Sequence, residues 1–181
     1  SASNVHYTAT GGGFSQGINI NAGIGGNIVN VDDVFPFGPT TVQSGSAADD
    51  VYVNSFTAKP NASITIRGQT GQDVVDASAS PQSVEVDGQD DEDTIYGSEF
   101  ADILFGGNGD DIIIGNLGGD SIDSGSGNDI VIGDHGVVSD SGGAAVTQRN
   151  IIQLFRVEAL TSSGDVDIIH ASLGDDTVLG G

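Results

Sequence analysis

The sequence predicts an all-β fold, a parallel β-roll or β-helix solenoid, on three observations. Asp93, Asp102, Asp111, Asp120 and Asp129 stand nine residues apart, and Asp167 to Asp176 repeats the interval. Each of the first five opens a short triplet with an apolar centre: Thr94-Ile95-Tyr96, Ile103-Leu104-Phe105, Ile112-Ile113-Ile114, Ser121-Ile122-Asp123 and Ile130-Val131-Ile132. Each is preceded by a short turn-forming stretch. A fixed period of this kind marks stacked units, each burying its apolar side only against its neighbours.

The elements follow in order along the chain. Residues 1–87 carry short strand-like segments at Ile18-Asn19-Ile20, Asn27 to Val31, Val51-Tyr52-Val53, Ile64-Thr65-Ile66, Val74-Val75 and Val84-Glu85-Val86. These coils lack most turn aspartates and are expected to be wider and poor in metal. Phe35-Pro36-Phe37-Gly38-Pro39 interrupts the pattern, so a separate small β region before residue 44 is the alternative. The strict repeat occupies 88–136, with looser units at Gly45 to Val53, Gly68 to Asp76, Ser162 to His170 and Ala171 to Leu179. Gly133-Asp134-His135-Gly136 starts a unit and breaks off.

A non-repeat insertion follows near residues 137–163, and the repeat resumes over 164–181. The insertion contains the apolar stretch Ile151 to Leu160, expected as an extended arm folding back over the repeats, with a short amphipathic helix as the alternative. In each triplet the central Ile95, Leu104, Ile113, Ile122 or Val131 should point inward, since side chains alternate along a strand. The outward Tyr96, Phe105, Ile112, Ile114, Ile130 and Ile132 are apolar as well, so one sheet face needs a cover.

Composition narrows the chemistry. The chain has 26 acidic residues against four basic ones, a net charge of −22, and 22 of the acids are aspartate. A compact state must overcome that self-repulsion, which points to a cationic partner. Lys59, Arg67, Arg149 and Arg156 form no cluster for phosphate, so nucleic acid is not an expected partner. Without cysteine, neither a disulfide nor a thiolate metal site can staple the chain. No apolar stretch is long enough to enter a bilayer as a helix, so membrane insertion is not expected.

Gly106-Gly107-Asn108-Gly109-Asp110-Asp111-Ile112-Ile113-Ile114 resembles the RTX nonapeptide, glycine-glycine-any-glycine-any-aspartate-any-large apolar-any. The resemblance implies a six-residue turn and a three-residue strand per unit, two units per coil, and several Ca²⁺ ions between stacked turns. It implies ligands among Gly88, Asp90, Asp93, Asp102, Gly106, Asn108, Asp110, Asp111, Gly115, Leu117, Asp120, Ser126, Asn128, Asp129, Asp134, Asp167 and Asp176. The resemblance has the sixth-position aspartates act through carboxylates and the turn residues through carbonyls, a mixture that suits a hard cation taking six to eight oxygens. Stacking then predicts one row with Asp93, Asp111 and Asp129 and an opposite row with Asp102, Asp120 and Asp134.

Other motifs carry less. Gly13-Phe14-Ser15-Gln16-Gly17 has the spacing of a nucleophile elbow, but a strand-like Ile18-Asn19-Ile20 follows where that motif needs a helix. Asp73 and Asp50 read as ordinary turn aspartates. His6, His135 and His170 are isolated, and no zinc-protease motif is present. Asn61-Ala62-Ser63 is a glycosylation sequon only in a host that modifies secreted chains.

The expected role is a non-catalytic, calcium-rigidified module of an extracellular or cell-surface protein of adhesin, surface-layer or filament type. Its expected partners are neighbouring repeat modules or identical subunits, with polysaccharide or another surface beyond them. The alternative is an accessory region of a secreted enzyme or toxin that assists export, folding or glycan binding.

Overall fold

The computed structural model describes residues 17–34, 38–59, 61–139, 156–159 and 166–180. Its upstream strands are β1 (Ile18–Asn21), β2 (Ile28–Val31), β3 (Pro39–Ser46), β4 (Asp50–Val53), β5 (Ser63–Thr70), β6 (Val74–Asp76) and β7 (Glu85–Asp90). Then come β8 (Thr94–Tyr96), β9 (Ile103–Asn108), β10 (Ile112–Ile114), β11 (Ser121–Ser126) and β12 (Ile130–Ile132). After β13 (Gly136–Ser139) and β14 (Arg156–Ala159), the chain ends its described part with β15 (Ile168–His170) and β16 (Thr177–Leu179). Among the described residues every element is a strand, and no helix is long and apolar enough to cross a membrane.

Successive strands alternate between two seven-stranded parallel sheets, ordered β1-β3-β5-β7-β9-β11-β15 and β16-β12-β10-β8-β6-β4-β2. The chain is therefore a β-solenoid, and it continues from the strict repeats through the upstream coils. Register is set by one apolar column per sheet. Val42, Ile66, Val86, Leu104 and Ile122 align in the first sheet; Val51, Val75, Ile95, Ile113 and Val131 align in the second. All ten are buried in one core. A slip of one residue would turn every column outward, so the pattern fixes the pairing.

Equivalent residues lie 24 and 20 positions apart in upstream coils and 18 apart in the strict ones, confirming that the upstream coils are wider. The strand β3 was not among the expected ones. Thr40-Thr41-Val42 holds a single aliphatic residue, and its β-branched threonines carry the strand signal.

The outer face of the second sheet is covered. Ile112, Ile114, Ile130 and Ile132 pack with Val138 of β13, flanked by Tyr96 and Leu179. β13 pairs antiparallel with β14, so the described part of the insertion is extended and not helical. Most of the stretch from Ile151 to Leu160 lies outside the described residues. The outer face of the first sheet keeps Ile103 and Phe105 exposed.

Candidate metal centre

The turns between sheets pile into two rows, one on each side of the core. In the first row the backbone N–H of each sixth-position aspartate donates to Oδ1 of the aspartate one coil later. The bonds run Asp49 to Asp73 (2.7 Å), Asp73 to Asp93 (2.8 Å), Asp93 to Asp111 (2.8 Å), Asp111 to Asp129 (2.9 Å) and Asp129 to Asp176 (3.0 Å). In the second row Asp102 N–H donates to Asp120 Oδ1 (2.8 Å) and Asp120 N–H to Asp167 Oδ1 (3.0 Å).

Three rungs differ from the sequence expectation. The rung upstream of Asp73 is Asp49, not Asp50, because Ser44 rather than Gly45 takes the first turn position. Asp73 is no isolated turn residue but a buried rung. The third rung of the second row is Asp167, not Asp134. The unit opened by Gly133-Asp134-His135 is completed by Asp167, because Gly133 packs against that carboxylate and donates to the Leu179 carbonyl. The insertion therefore interrupts a turn. Ser162 to Asp165, expected to open that unit, lie outside the described residues, as do His6 and Ser15.

Close packing explains the glycines at the first turn position. A Cβ on Gly88 would lie 2.3 Å from Asp93 Oδ2 and 2.5 Å from the Gly106 carbonyl. On Gly106 it would lie 2.4 Å from Asp111 Oδ2, and on Gly115 2.4 Å from Asp120 Oδ2 and 2.3 Å from the Gly133 carbonyl. Each point gathers a carboxylate oxygen and a carbonyl oxygen from adjacent coils. At the fourth position Gly109 and Gly127 take φ of 132° and 144°, which a side chain would strain.

With Oδ1 committed to the neighbouring coil, Oδ2 of Asp93, Asp111 and Asp120 is buried without a hydrogen-bond partner. Burying an anionic oxygen this way is costly and favours the neutral acid. Burial pushes Asp93 up to about 9, opposed by the Asp73 N–H and reinforced by repulsion from Asp111, Asp73 and Asp91. Burial likewise raises Asp120 to about 8 and Asp111 to about 7, and lifts Asp129. A divalent cation would relieve all four.

Asp102 differs. Its Oδ1 accepts from Val84 N–H (2.8 Å) and Ser98 Oγ (2.9 Å), and its Oδ2 from Ser98 N–H (2.5 Å). Asn116 Nδ2 takes the neighbouring Gly97 carbonyl at 2.8 Å. In the first row Ser44 Oγ donates to the Gly68 carbonyl at 2.6 Å, and Asn27 Nδ2 to Asp49 Oδ1 at 3.0 Å. Near the upstream end of both rows, neutral donors thus occupy oxygens that metal would otherwise hold.

The remaining predicted positions lie around these rungs. Gly88, Gly106 and Gly115 line them as described. Asp90, Asn108 and Ser126 form an outer side-chain ladder, and Asp110 Oδ1 accepts from both the backbone N–H and Nδ2 of Asn128. These side chains bond to one another, leaving the backbone carbonyls as candidate ligands at these positions; Leu117, in the second row, is half-buried. Asp176 closes the first row. His135 pairs with Glu99 at 2.9 Å. Among the described residues no three Asp, Glu or His side chains converge on one point. An ion here would be held by paired aspartates and backbone carbonyls, which Ca²⁺ accepts.

A family model described as the RTX calcium-binding nonapeptide repeat matches residues 87–122, 108–136 and 160–181. The repeats are of the RTX type. No curated protein and no solved structure matches the chain. The RTX match stops short of Asp49 and Asp73, which continue the same hydrogen-bonded row upstream. The matched segments are calcium-binding repeats by this likeness, and repeats of that type are structural rather than catalytic.

Proposed function

We propose that the chain is a calcium-folded structural module of an extracellular or cell-surface protein, of adhesin, surface-layer or filament type. The observation that supports this reading is the pair of aspartate rows in which Asp93, Asp111 and Asp120 each keep a buried Oδ2 without a hydrogen-bond partner. Asp93 with Asp111, Asp111 with Asp129, Asp129 with Asp176, and Asp120 with Asp167 would each hold Ca²⁺ together with turn carbonyls. Calcium supplies charge neutralisation there, and the residues supply the stacked frame. Because these sites exist only when coils stack, binding free energy adds to folding free energy. Such a module is loose where calcium is scarce and stiff where it is millimolar, which suits an exported protein and stacking on neighbouring modules or identical subunits.

The test is a calcium titration of the metal-stripped chain, followed by circular dichroism and sedimentation. β structure should appear cooperatively, and Asp111→Ala, which removes a rung shared by two sites, should raise the calcium midpoint by at least ~10-fold. Growth in mass with calcium supports assembly. A chain fully folded in excess chelator and indifferent to calcium rejects the proposal.

A further inference from the structure

Asp134 belongs to no rung, yet it is 0% exposed and neither of its carboxylate oxygens has a hydrogen-bond partner. An ionised carboxylate in that state must find a cation or be expelled. Its surroundings are defined by the residue before it. The Gly133 carbonyl would lie 2.3 Å from a Cβ on Gly115, beside Asp120 Oδ2, and a Cβ on Gly133 would lie 2.2 Å from Asp167 Oδ2. The Gly133 backbone, one residue before Asp134, is thus wedged between the Asp120 and Asp167 carboxylates. Asp134 is also close enough for its charge to help raise Asp120.

The second turn position shows what is unusual. Gln89 and Asn116 occupy it with φ of 81° and 70°, and Gly107 with 117°. Asp134 is not among the positive-φ residues, nor is Ser98, its counterpart two coils earlier in the same row. Both are fully buried. Ser98 brings donors, through its N–H and hydroxyl, and satisfies Asp102 from within the protein. The Asp134 side chain, once ionised, brings only acceptors, beside an Asp120 whose Oδ2 already lacks a donor. The same turn is also interrupted: the chain enters β13 at its fourth position, Gly136, so the fifth and sixth residues in sequence, Val137 and Val138, belong to β13, and the rung aspartate is supplied by Asp167.

We infer that Asp134 is a calcium ligand of a second type, pairing with Asp120 so that a side-chain carboxylate joins the Gly133 carbonyl at the root of the insertion. This rests on the calcium reading above and departs from the repeat pattern, which has glycine at that position. The site fastens the cover as well as the coil. One residue after Asp134, His135 pairs with Glu99, and β13 then places Val138 over Ile112, Ile114, Ile130 and Ile132.

The experiment compares the full chain with Asp134→Asn and Asp134→Ala in saturating calcium. It counts bound ions by equilibrium dialysis and follows amide exchange of residues 136–139 against residues 94–96. Both variants should bind one ion fewer, and the amides of β13 should exchange at least tenfold faster while those of β8 keep their protection. Asn keeps the shape of Asp without its charge, so an Asn variant with unchanged ion count and unchanged β13 exchange overturns the inference. That result would leave the calcium module intact. A wild-type chain that takes up no calcium overturns both readings together.

Discussion

Each rung aspartate divides its work between two oxygens, Oδ1 holding the previous coil and Oδ2 held back from any protein donor at Asp93, Asp111 and Asp120. The pH response follows. Folded-state values raised to about 9, 8 and 7 at Asp93, Asp120 and Asp111, above the ordinary 3.8, mean that the metal-free folded state binds more protons than the unfolded one. Its stability is then fully present below about pH 4 and is lost as pH rises through about 7 to 9. Metal-stripped protein should gain β structure as pH falls from 9 toward 5, read by circular dichroism. In saturating calcium the trend should reverse, because protons compete with the ion. At Ser98 the prediction differs in kind. Ser98→Ala removes one donor from buried Asp102 and should cost about 1–3 kcal/mol in denaturant melts with or without calcium.

The strands were legible to very different degrees. The triplet centres Ile95, Leu104, Ile113, Ile122 and Val131 announced themselves by period and are all in the core. Ile113→Ala should cost about 2–5 kcal/mol by calcium-saturated unfolding, since its column cannot collapse around the void. The Ser44 turn was misphased because glycine was given the first position. Val51, which aligns with Val75, shows the correct phase, two residues after Asp49. The Ser98, Asn116 and Asn27 donors were invisible for a physical reason. Ser and Asn fill turns of every kind, and only stacking places their hydrogens against a particular carbonyl or carboxylate. Rungs could be read from spacing, whereas the completion of the Gly133 unit by Asp167 depends on a contact across the insertion.

At the scale of the whole molecule the two rows divide the solenoid into parts with different needs. Ser44 and Asn27 donate to carbonyl and carboxylate oxygens of the upstream turns and Ser98 to Asp102, while Asp93, Asp111 and Asp120 each keep an Oδ2 without a donor. In chelator at neutral pH, amide exchange should remain slow in β3 to β6 and become fast in β9 to β12. Calcium should then slow the downstream strands from the upstream side onward, as expected for stacked units that template their neighbours. Uniform exchange along the solenoid in chelator would contradict this division.

The interruption inside the Gly133 turn also sets the order of events during folding. Rungs Asp120 and Asp167 are 47 residues apart where regular rungs are 18 apart, and the same holds for Asp129 and Asp176. Closing the longer span costs about 0.9 kcal/mol more in chain entropy, a several-fold slower search at equal contact strength. A growing stack would pause at β12 until the insertion brings Asp167 back, so β15 and β16 join last. Those final strands then report on the insertion: they can add to the stack only after the excursion has returned its downstream end to the turn that it left.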